Sequence, residues 1–517
     1  QVAVKREATF SVGDHIREQE DYWKPLLIDG EEIDYLAVFK DKLQFHNLNY
    51  DFGEGELKRS DFQRFRDIRQ QTIKTHLGIG DDRIHCLNHH YAHSMYAIFS
   101  NPACFDKDWL VLVADGYGDD CSASVGIWQG GSFEFVAKSI GSGIGRIYRS
   151  VTLLLGMRPG VDEFKVMGLA PYAKPYHWQA VADVLHRYLR VEGMEIDYTN
   201  PDKDLYFSLK EKLKEARFDG IAGGLQKFSE DITIQWTANS IRQTGIRNIA
   251  FSGGVAMNIK INQAVMDMEE VEDIFIGPSG GDESLSMGVA YALWFDKFSP
   301  SKQVKPLTHA YLGPSYNAAR SEAALGQLGD GFQIQRGPSA GDVAALLAEG
   351  KILGRAVGPM EFGARALGNR SILARADDPA MIRNINDRIK RRDFWMPFAP
   401  IILAECMEDY LVNPKAVISP YMTLGFDSTP LGRDHLRAAL HPADDTSRPQ
   451  IVARDQNPEL HALLKEFQSI TGIGGLLNTS LNLHGEPICC TPEDSIQTLV
   501  NSELDGLLLE GYLVLRR

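Results

Sequence analysis

The sequence predicts an α/β protein with two unequal domains, and three observations lead to this prediction. Short β-rich runs end directly at glycine or acidic residues, as buried strands do when they deliver functional loops; these runs are 110–114, 249–252 and 274–276. Helix-like stretches at 228–244 and 284–294 give the alternation of an α/β domain. A loop-like stretch at 299–314 then separates this part from a second one. The first part is compatible with a doubly wound or an actin-like sheet.

The second part has its own pattern of strands and helices. It predicts a helix at 342–349, a strand at 352–357, a strand at 475–478 that enters Thr479-Ser480, and two final strands, 507–510 and 512–515. A chain of 517 residues exceeds the size at which one hydrophobic core stops growing, so more than one domain is expected. No repeat of 20 to 50 residues is visible, which argues against a solenoid.

Composition excludes several classes of protein. Hydrophobic residues make up 44% and charged residues 24% of the chain, as in a globular enzyme and unlike a disordered or fibrous protein. Apolar runs such as 109–114 are too short to span a bilayer, so no membrane partner is expected. The net charge of −15 argues against a nucleic-acid partner. The six cysteines form no C-x-x-C pair and no secretory leader is visible, which favours a reducing, cytoplasmic setting.

Basic charge is concentrated in one glycine-containing stretch. Residues 351–400 hold ten Lys or Arg against five Asp or Glu, a net of +5 in an acidic chain. Met360–Ser371 sets Arg365 and Arg370 among glycines, and Lys390–Pro400 follows. The guanidinium fork matches phosphate, and glycine lets backbone N–H groups approach a ligand closely. A solvated basic helix face is the alternative, but the apolar residues that alternate with the arginines favour an oxyanion pocket.

A histidine pair indicates a metal site. Asn88–His93 begins a helix-like stretch, and His89 and His93 are four residues apart, so both imidazoles lie on one face, where two neutral nitrogens can bind one divalent metal. Asp115 at the end of a strand and Asp282 at the start of a helix are candidate carboxylate ligands. Ordinary polar contacts for the histidines and N-capping by Asp282 are the alternatives, and spacing leaves the choice open.

Two glycine-rich turns are weaker signals. Ser252–Asn258 predicts a strand, a glycine turn and a helix start, which suits a phosphate but is a common arrangement. Gly141–Gly145 superficially resembles a dinucleotide fingerprint, but we expect no strand before it and therefore no Rossmann domain. The sequence has no G-x-S-x-G elbow and no convincing Cys and His pair. This favours phosphoryl or acyl transfer stabilised by positioned charges, without a covalent protein intermediate.

Taken in order, a series of motifs along nearly the whole chain resembles the O-carbamoyltransferase family of the NodU/CmcH type. The motifs are Asn88–His93, Val113–Gly116, Tyr148–Thr152, Phe164–Ala170, Ser252–Asn258, Gly281–Gly288, Tyr311–Pro314, Glu361–Leu373, Pro397–Pro400, Arg448–Gln450 and Asn478–Pro487.

The resemblance implies two domains with separate chemistry. An actin-like ATPase domain of the ASKHA, RNase H-like type would span 1–310, and a YrdC-like α/β domain would span 311–517. The C-terminal domain would make carbamoyl adenylate from carbamoyl phosphate and ATP, with Mg²⁺. The N-terminal domain would pass the carbamoyl group to a hydroxyl of a small molecule such as a sugar or an antibiotic-like natural product. A homodimer is compatible with the family.

The resemblance also assigns residues. The ligands of Fe(II) or another divalent metal would be His89, His93, Asp115 and Asp282. The residues against carbamoyl adenylate would be Gly145 and Asn258, and Gly253 and Gly254 of the glycine turn are further candidate cofactor-binding residues. Carbamoyl phosphate and ATP would be bound by Arg365, Lys390 and Arg448, with orienting hydrogen bonds from Asn478 and Ser480.

Three departures from the family pattern stand out. Met396 occupies a position where the family has arginine, so Arg391 or Arg392 is a candidate replacement. Ala364 occupies a proline position, which should loosen the turn before Arg365. Val2–Ser11 resembles a segment that follows the family's first strand hairpin, and we expect that hairpin to be missing.

Other readings remain open on the sequence alone. A relative of tRNA-threonylcarbamoylating proteins should carry a basic surface, and a hydrogenase-maturation relative should carry C-x-x-C pairs; this acidic chain shows neither. A nucleotide-binding protein that has lost transfer activity is the non-catalytic alternative.

Overall fold

The structure is a computed structural model that describes residues 84–517 except 120, 200–203, 300–303 and 327, together with 36–39 and positions 71, 74, 75 and 80. The segment Val2–Ser11, on which the expectation of a missing hairpin rests, lies outside the described residues. The fold is mixed α/β, as predicted.

The strands are β1 (Leu36–Phe39), β2 (Ile84–Leu87), β3 (Trp109–Gly118), β4 (Cys121–Gln129), β5 (Ser132–Ser139), β6 (Leu189–Glu192), β7 (Glu195–Tyr198), β8 (Asn248–Ser252), β9 (Asp273–Phe275), β10 (Phe332–Arg336), β11 (Leu353–Ala356), β12 (Arg370–Arg375), β13 (Ala399–Leu403), β14 (Gln450–Val452), β15 (Gly475–Ser480), β16 (Gly506–Leu509) and β17 (Tyr512–Arg516). The α-helices are α1 (His89–Phe99), α2 (Ile144–Leu154), α3 (Glu163–Leu169), α4 (Pro175–Leu185), α5 (Leu205–Lys212), α6 (Phe218–Thr244), α7 (Ile259–Met266), α8 (Leu285–Phe298), α9 (Ala318–Leu325), α10 (Ala340–Ala348), α11 (Ala380–Ile385), α12 (Met407–Tyr410), α13 (Pro430–His435), α14 (Pro458–Thr471) and α15 (Pro492–Asn501).

The first large sheet has five strands in the order β5-β4-β3-β8-β9. β5 pairs antiparallel with β4, and β4 pairs antiparallel with β3. β3 pairs parallel with β8, and β8 pairs parallel with β9. This mixed pairing excludes a doubly wound parallel sheet, one of the two arrangements the sequence allowed. β3 also runs further than predicted, to Gly118, and its register with β4 shifts between Ala114 and Gly118. Asp115 therefore lies within the irregular part of a strand, where β8 no longer pairs with β3.

The second large sheet has eight strands in the order β10-β17-β16-β11-β12-β15-β13-β14. Ser371 at the start of β12 pairs with Ser480 at the end of β15, and Ala399 at the start of β13 pairs with Asn478. β13 and β14 run parallel. The starts of β12, β13 and β14 and the end of β15 therefore meet at one edge of the sheet. The loops that carry the predicted phosphate-binding residues begin or end there.

Helix α6 begins at Phe218, ten residues before the predicted start at 228. The sequence did not predict the first ten residues of this helix, because they contain glycines, which are unfavourable in helix interiors. Close packing explains them: a Cβ on Gly223 would lie 2.6 Å from Cβ of Ala173, and one on Gly224 would lie 2.5 Å from Cβ of Val181. The helix ends at Gly245, whose φ of 75° is left-handed.

The connection between the sheets is packed rather than loose. Where 304–314 is described, Leu307 N donates to Phe99 O at 2.9 Å and Gly313 N donates to Met360 O at 2.9 Å. His441 Nε2 further contacts the carbonyl oxygen of Gly168 at 2.8 Å. No helix among the described residues has both the length and the apolar character that a membrane crossing needs.

Candidate functional site

Four side chains from distant parts of the first domain meet beside β3. One ligand atom from each of His89, His93, Asp115 and Asp282 lies within 4.8 Å of the others. Nε2 of His89 is 2.9 Å from Oδ2 of Asp115, and Nε2 of His93 is 3.4 Å from Oδ1 of Asp282. The structure thus brings together the four residues predicted as metal ligands.

Helix capping sets the position of the two histidines. The side chain of Asn88 accepts from Tyr91 N at 3.0 Å and so caps α1. Oδ2 of Asp119 accepts from His89 N at 2.8 Å and from Asn88 Nδ2 at 3.0 Å. Because the helix starts at His89, His93 follows one turn later on the same face.

Two glycines make room for the cluster. A Cβ on Gly118 would lie 2.1 Å from Cδ2 of His89, so a side chain there would displace the imidazole. A Cβ on Gly288 would lie 2.1 Å from the carbonyl oxygen of Ala92, so only glycine lets α8 approach α1 this closely. Asp282 opens a short 3₁₀ turn before α8, but its side chain makes no capping hydrogen bond. The alternative role of Asp282 as an N-cap is therefore wrong. Sequence reasoning missed both glycines, although Gly288 lies in a motif it had selected.

The surroundings of His90 lower its pKa, whereas those of its neighbour His89 raise its pKa. Burial and the charges of His89 and His93 lower the pKa of His90 to about 3, and its nitrogens contact Ser124 Oγ and Cys121 O at 3.0 Å. Burial opposes a charge on His89, but its hydrogen bond to Asp115 and the nearby carboxylates raise its pKa to about 9. Burial likewise opposes ionisation of Asp115, yet His89 and His93 hold its pKa well below the usual value. His90 fixes α1 to β4, whereas His89 belongs to an ionic cluster.

The cluster fits a divalent cation. Within the described part of the chain, Nε2 of His93 and Oδ1 of Asp282 are buried and have no hydrogen-bond partner. Buried polar atoms without partners are costly, and here both point into a shared set of two nitrogens and two carboxylates. Imidazole and carboxylate together suit Fe(II), Zn²⁺ or Mn²⁺.

We expect His93→Ala to weaken binding of Fe(II) or Zn²⁺ at least about 100-fold, because losing a ligand costs more than the 10- to 100-fold loss typical of an outer-shell partner. Titration of the chelator-treated protein with each metal measures this. His186→Ala is the matched control, since His186 pairs with Asp231 on the surface. Unchanged affinity in His93→Ala would contradict the metal site.

Three of the expected cofactor-binding residues, all glycines, lie against Ala114 or Asp115 of β3. Gly254 N donates to Oδ1 of Asp115 at 3.1 Å, so this amide of the glycine turn is already used by the chain. Gly253 has a φ of 89°, and a Cβ there would lie 2.2 Å from Ala114 O. A Cβ on Gly145 would lie 2.9 Å from Asp115 O. Asn258 caps α7 and donates from Nδ2 to Gln226 Oε1 at 2.8 Å. Through these contacts, all four residues have structural roles in this part of the first domain.

One expectation about this region is wrong. A strand does precede Gly141–Gly145, because β5 ends at Ser139. β5 is antiparallel to β4, however, so the glycine turn is not part of a βαβ unit. The conclusion that this is no Rossmann fingerprint stands for a different reason.

A second site lies at the shared edge of the eight-stranded sheet. Burial lowers the pKa of Arg365 and of Arg392 to about 10. Burial, together with the charges of Arg365 and Arg392, lowers the pKa of Arg448 well below its usual value. Among the described residues, none of these three guanidinium groups forms an ion pair. Three like charges in one partly buried site without a paired carboxylate indicate an anion pocket.

Glu361 builds the loop that carries Arg365. Its buried Oε1 accepts from the backbone N–H groups of Leu367, Asn369 and Arg370, at 2.8, 2.7 and 3.0 Å. Gly363, with φ of 109°, approaches Pro278 so closely that a Cβ would lie 2.6 Å from its carbonyl oxygen. The loop of Arg365 therefore packs against the segment that leads to Asp282.

Arg370 does not share the role of Arg365. Its guanidinium is buried and donates to Gly358 O at 3.0 Å and to Cys490 O at 3.3 Å. These carbonyl contacts make it a structural arginine. Composition alone could not distinguish the two, because both stand among glycines, and only the family resemblance selected Arg365.

Lys390 and Ser480 lie together as predicted, but the chain itself occupies the ammonium. Nζ of Lys390 donates to the carbonyl oxygens of Ser480 and Asn482, at 2.5 and 3.0 Å. Burial, with a smaller contribution from Arg392, lowers its pKa well below the usual value. Asn478 donates to Ala366 O at 2.7 Å, while its Oδ1 is buried without a partner among the described residues. Lys390 thus holds the end of β15, and Asn478 offers a free acceptor.

Comparison with known proteins identifies the family. A model described as Carbamoyltransferase N-terminus matches residues 57–291, and one described as Carbamoyltransferase C-terminus matches 344–516. "Uncharacterized protein MJ1058" of Methanocaldococcus jannaschii is 31% identical, over 89% of this chain and 79% of the relative. "Nodulation protein NolO" of Bradyrhizobium diazoefficiens is 30% identical, over 83% of this chain and 79% of the relative. The crystal structure of HypF from T. kodakarensis is 12% identical with a TM-score of 0.31, over 56% of this chain and 44% of that one. The two family models and these long matches show that the chain belongs to the carbamoyltransferase family of enzymes.

Proposed function

We propose that the chain is an ATP-dependent O-carbamoyltransferase with two sites. Carbamoyl phosphate, ATP and one water would give carbamoyl adenylate, phosphate and pyrophosphate in the anion pocket. Carbamoyl adenylate and a hydroxyl group of a sugar or natural product would then give the carbamate ester and AMP beside the histidine cluster. The observation that carries the proposal is the set of partly buried guanidinium groups that form no ion pair with a carboxylate among the described residues. Such a set has a net positive charge that phosphate-bearing substrates would neutralise.

In the first site, arginines would do most of the work. Arg365 and Arg448 would bind phosphoryl oxygens and stabilise negative charge as it moves between them during transfer. Oδ1 of Asn478, which lacks a partner among the described residues, would accept an N–H of the carbamoyl group. Lys390 would act by holding Ser480 and Asn482 in place. Mg²⁺ would accompany ATP as its usual counter-ion.

In the second site, His89, His93, Asp115 and Asp282 would hold the metal, which the family resemblance suggests is Fe(II). A divalent cation there would act as a Lewis acid towards the carbamoyl carbonyl. Gly145, Gly253 and Gly254, whose missing side chains let them pack against β3 at Ala114 and Asp115, would lie beside the adenylate.

We propose an actin-like domain of the ASKHA, RNase H-like type over 1–310 and a YrdC-like domain over 311–517. Support for the first comes from its sheet, in which three antiparallel strands are followed by two parallel ones. Support for the boundary comes from the strands themselves, because β3 to β9 lie before 310 and the eight-stranded sheet lies after it.

The assay for this function is pyrophosphate release from ATP, with and without carbamoyl phosphate. We expect release that requires carbamoyl phosphate and that rises when a hydroxyl acceptor is added. Release that requires an amino acid in place of carbamoyl phosphate would favour a threonylcarbamoyl-type activity. No release that depends on carbamoyl phosphate would overturn the proposal.

A further inference from the structure

Backbone geometry sends the two arginines after Lys390 in different directions. The helical segment at 386–390 ends at Arg391, whose φ of 44° is left-handed and whose N–H donates to Asn386 O at 2.6 Å. The chain reverses at this residue, and Arg391 is exposed to solvent. Arg392 follows the reversal and turns back into the protein.

Arg392 is held against the strands that form the anion pocket. Nη2 donates to Oγ1 of Thr479, which lies between the predicted ligands Asn478 and Ser480 on β15. The guanidinium carbon lies 4.8 Å from the centroid of the Phe398 ring, which fixes its plane by a cation–π contact. These two contacts orient the guanidinium without neutralising it.

The surroundings of Arg392 add positive charge rather than removing it. The charge of Arg392 acts on the half-buried Arg448 and on the buried Lys390. A guanidinium has five N–H donors, and the contact with Thr479 accounts for one of them. A purely structural arginine would be expected to use carbonyl or carboxylate acceptors, as Arg370 does. A dianion would supply both the missing acceptors and the missing charge.

We propose that Arg392 is a phosphoryl-binding residue of the anion pocket. It would replace the arginine that the family has at the position of Met396. The proposal rests on the proposed function and adds a ligand-binding residue to it. Arg391, the other candidate replacement, faces solvent and takes no part. The phosphoryl group comes from carbamoyl phosphate or from ATP, and the kinetic arms of the test distinguish these two sources.

The test compares Arg392→Met with its neighbour Arg391→Met as the matched control. We expect Arg392→Met to raise KM for carbamoyl phosphate or for ATP at least about 10-fold, and Arg391→Met to change neither by more than about 2-fold. Arg392→Lys should recover part of the loss, because lysine keeps the charge but not the fork. Unchanged KM for both substrates in Arg392→Met would overturn the proposal.

An equilibrium arm separates this inference from the proposed function. Calorimetric titration of wild type and both variants with inorganic phosphate and with pyrophosphate needs no turnover. We expect Arg392→Met to weaken binding of at least one of these anions about 10-fold or more, while Arg391→Met binds as wild type does. This result would support the role of Arg392 even if the wild type released no pyrophosphate with carbamoyl phosphate. Equal binding by all three proteins would contradict it.

Discussion

Replacing Arg448 with methionine is expected to lower pyrophosphate release that depends on carbamoyl phosphate by about 1,000-fold, the effect of removing an arginine that stabilises phosphoryl transfer. Methionine fills a similar volume but presents no donor to a phosphoryl oxygen. Stopped assays of pyrophosphate, with both substrates saturating for the wild type, measure the change. Release at the wild-type rate would contradict a role for Arg448 in the pocket.

Arg454→Met is the control, because Arg454 is an exposed arginine six residues further on. Stability gives a second readout. Arg448 is half-buried, and its buried Nε has no hydrogen-bond partner among the described residues and lies near two more positive charges. Removing it should therefore leave the free energy of unfolding of the ligand-free protein unchanged or raise it. A loss of activity together with unchanged or higher stability would be typical of a binding residue rather than of a structural one.

Glu361→Leu is expected to lower the free energy of unfolding by at least about 3 kcal/mol, since each buried N–H group that loses its acceptor costs about 1–3 kcal/mol. Three backbone N–H groups share Oε1 of Glu361, so one substitution leaves all of them without an acceptor. Urea denaturation followed by circular dichroism measures the change.

The matched control is Glu361→Gln, which keeps an oxygen at the same position and should cost about 1 kcal/mol. Activity should fall with the leucine variant as well, because the loop of Arg365 loses its anchor. If Glu361→Leu were as stable as the wild type, the three hydrogen bonds would not be holding this loop.

Local patterns predicted much of the fold. Strands such as β8 and β15 are predicted because apolar runs end at glycine or polar residues, and α1 is predicted from the helix-like stretch that begins at Asn88–His93. The extent of α6 was missed, because Gly223 and Gly224 look unfavourable for a helix until the close packing against Ala173 and Val181 is known. The position of Asp115 inside β3 depends on the register shift between β3 and β4 and on where β8 stops pairing with β3. Only the tertiary structure determines both.

In the candidate sites too, local patterns predicted some features, whereas others depend on tertiary contacts. Spacing placed His89 and His93 on one face and named Asp282 as a candidate ligand, and the close approach of α8 to α1 at Gly288 shows how Asp282 reaches the histidines. Composition alone does not separate Arg365 from Arg370; the family resemblance selected Arg365, and the carbonyl oxygens around Arg370 make that residue structural. Such distinctions depend on long-range contacts, which composition and periodicity do not contain.

The central claim is that activation and transfer take place at separate sites in one chain. Incubation of Arg448→Ala and His93→Ala with carbamoyl phosphate and ATP, without an acceptor, followed by measurement of pyrophosphate and carbamoyl adenylate, tests this most directly. We predict that His93→Ala forms both products and fails only when a hydroxyl acceptor must be carbamoylated, whereas Arg448→Ala forms neither. Equal loss of carbamoyl adenylate in the two variants would contradict the separation of the two sites.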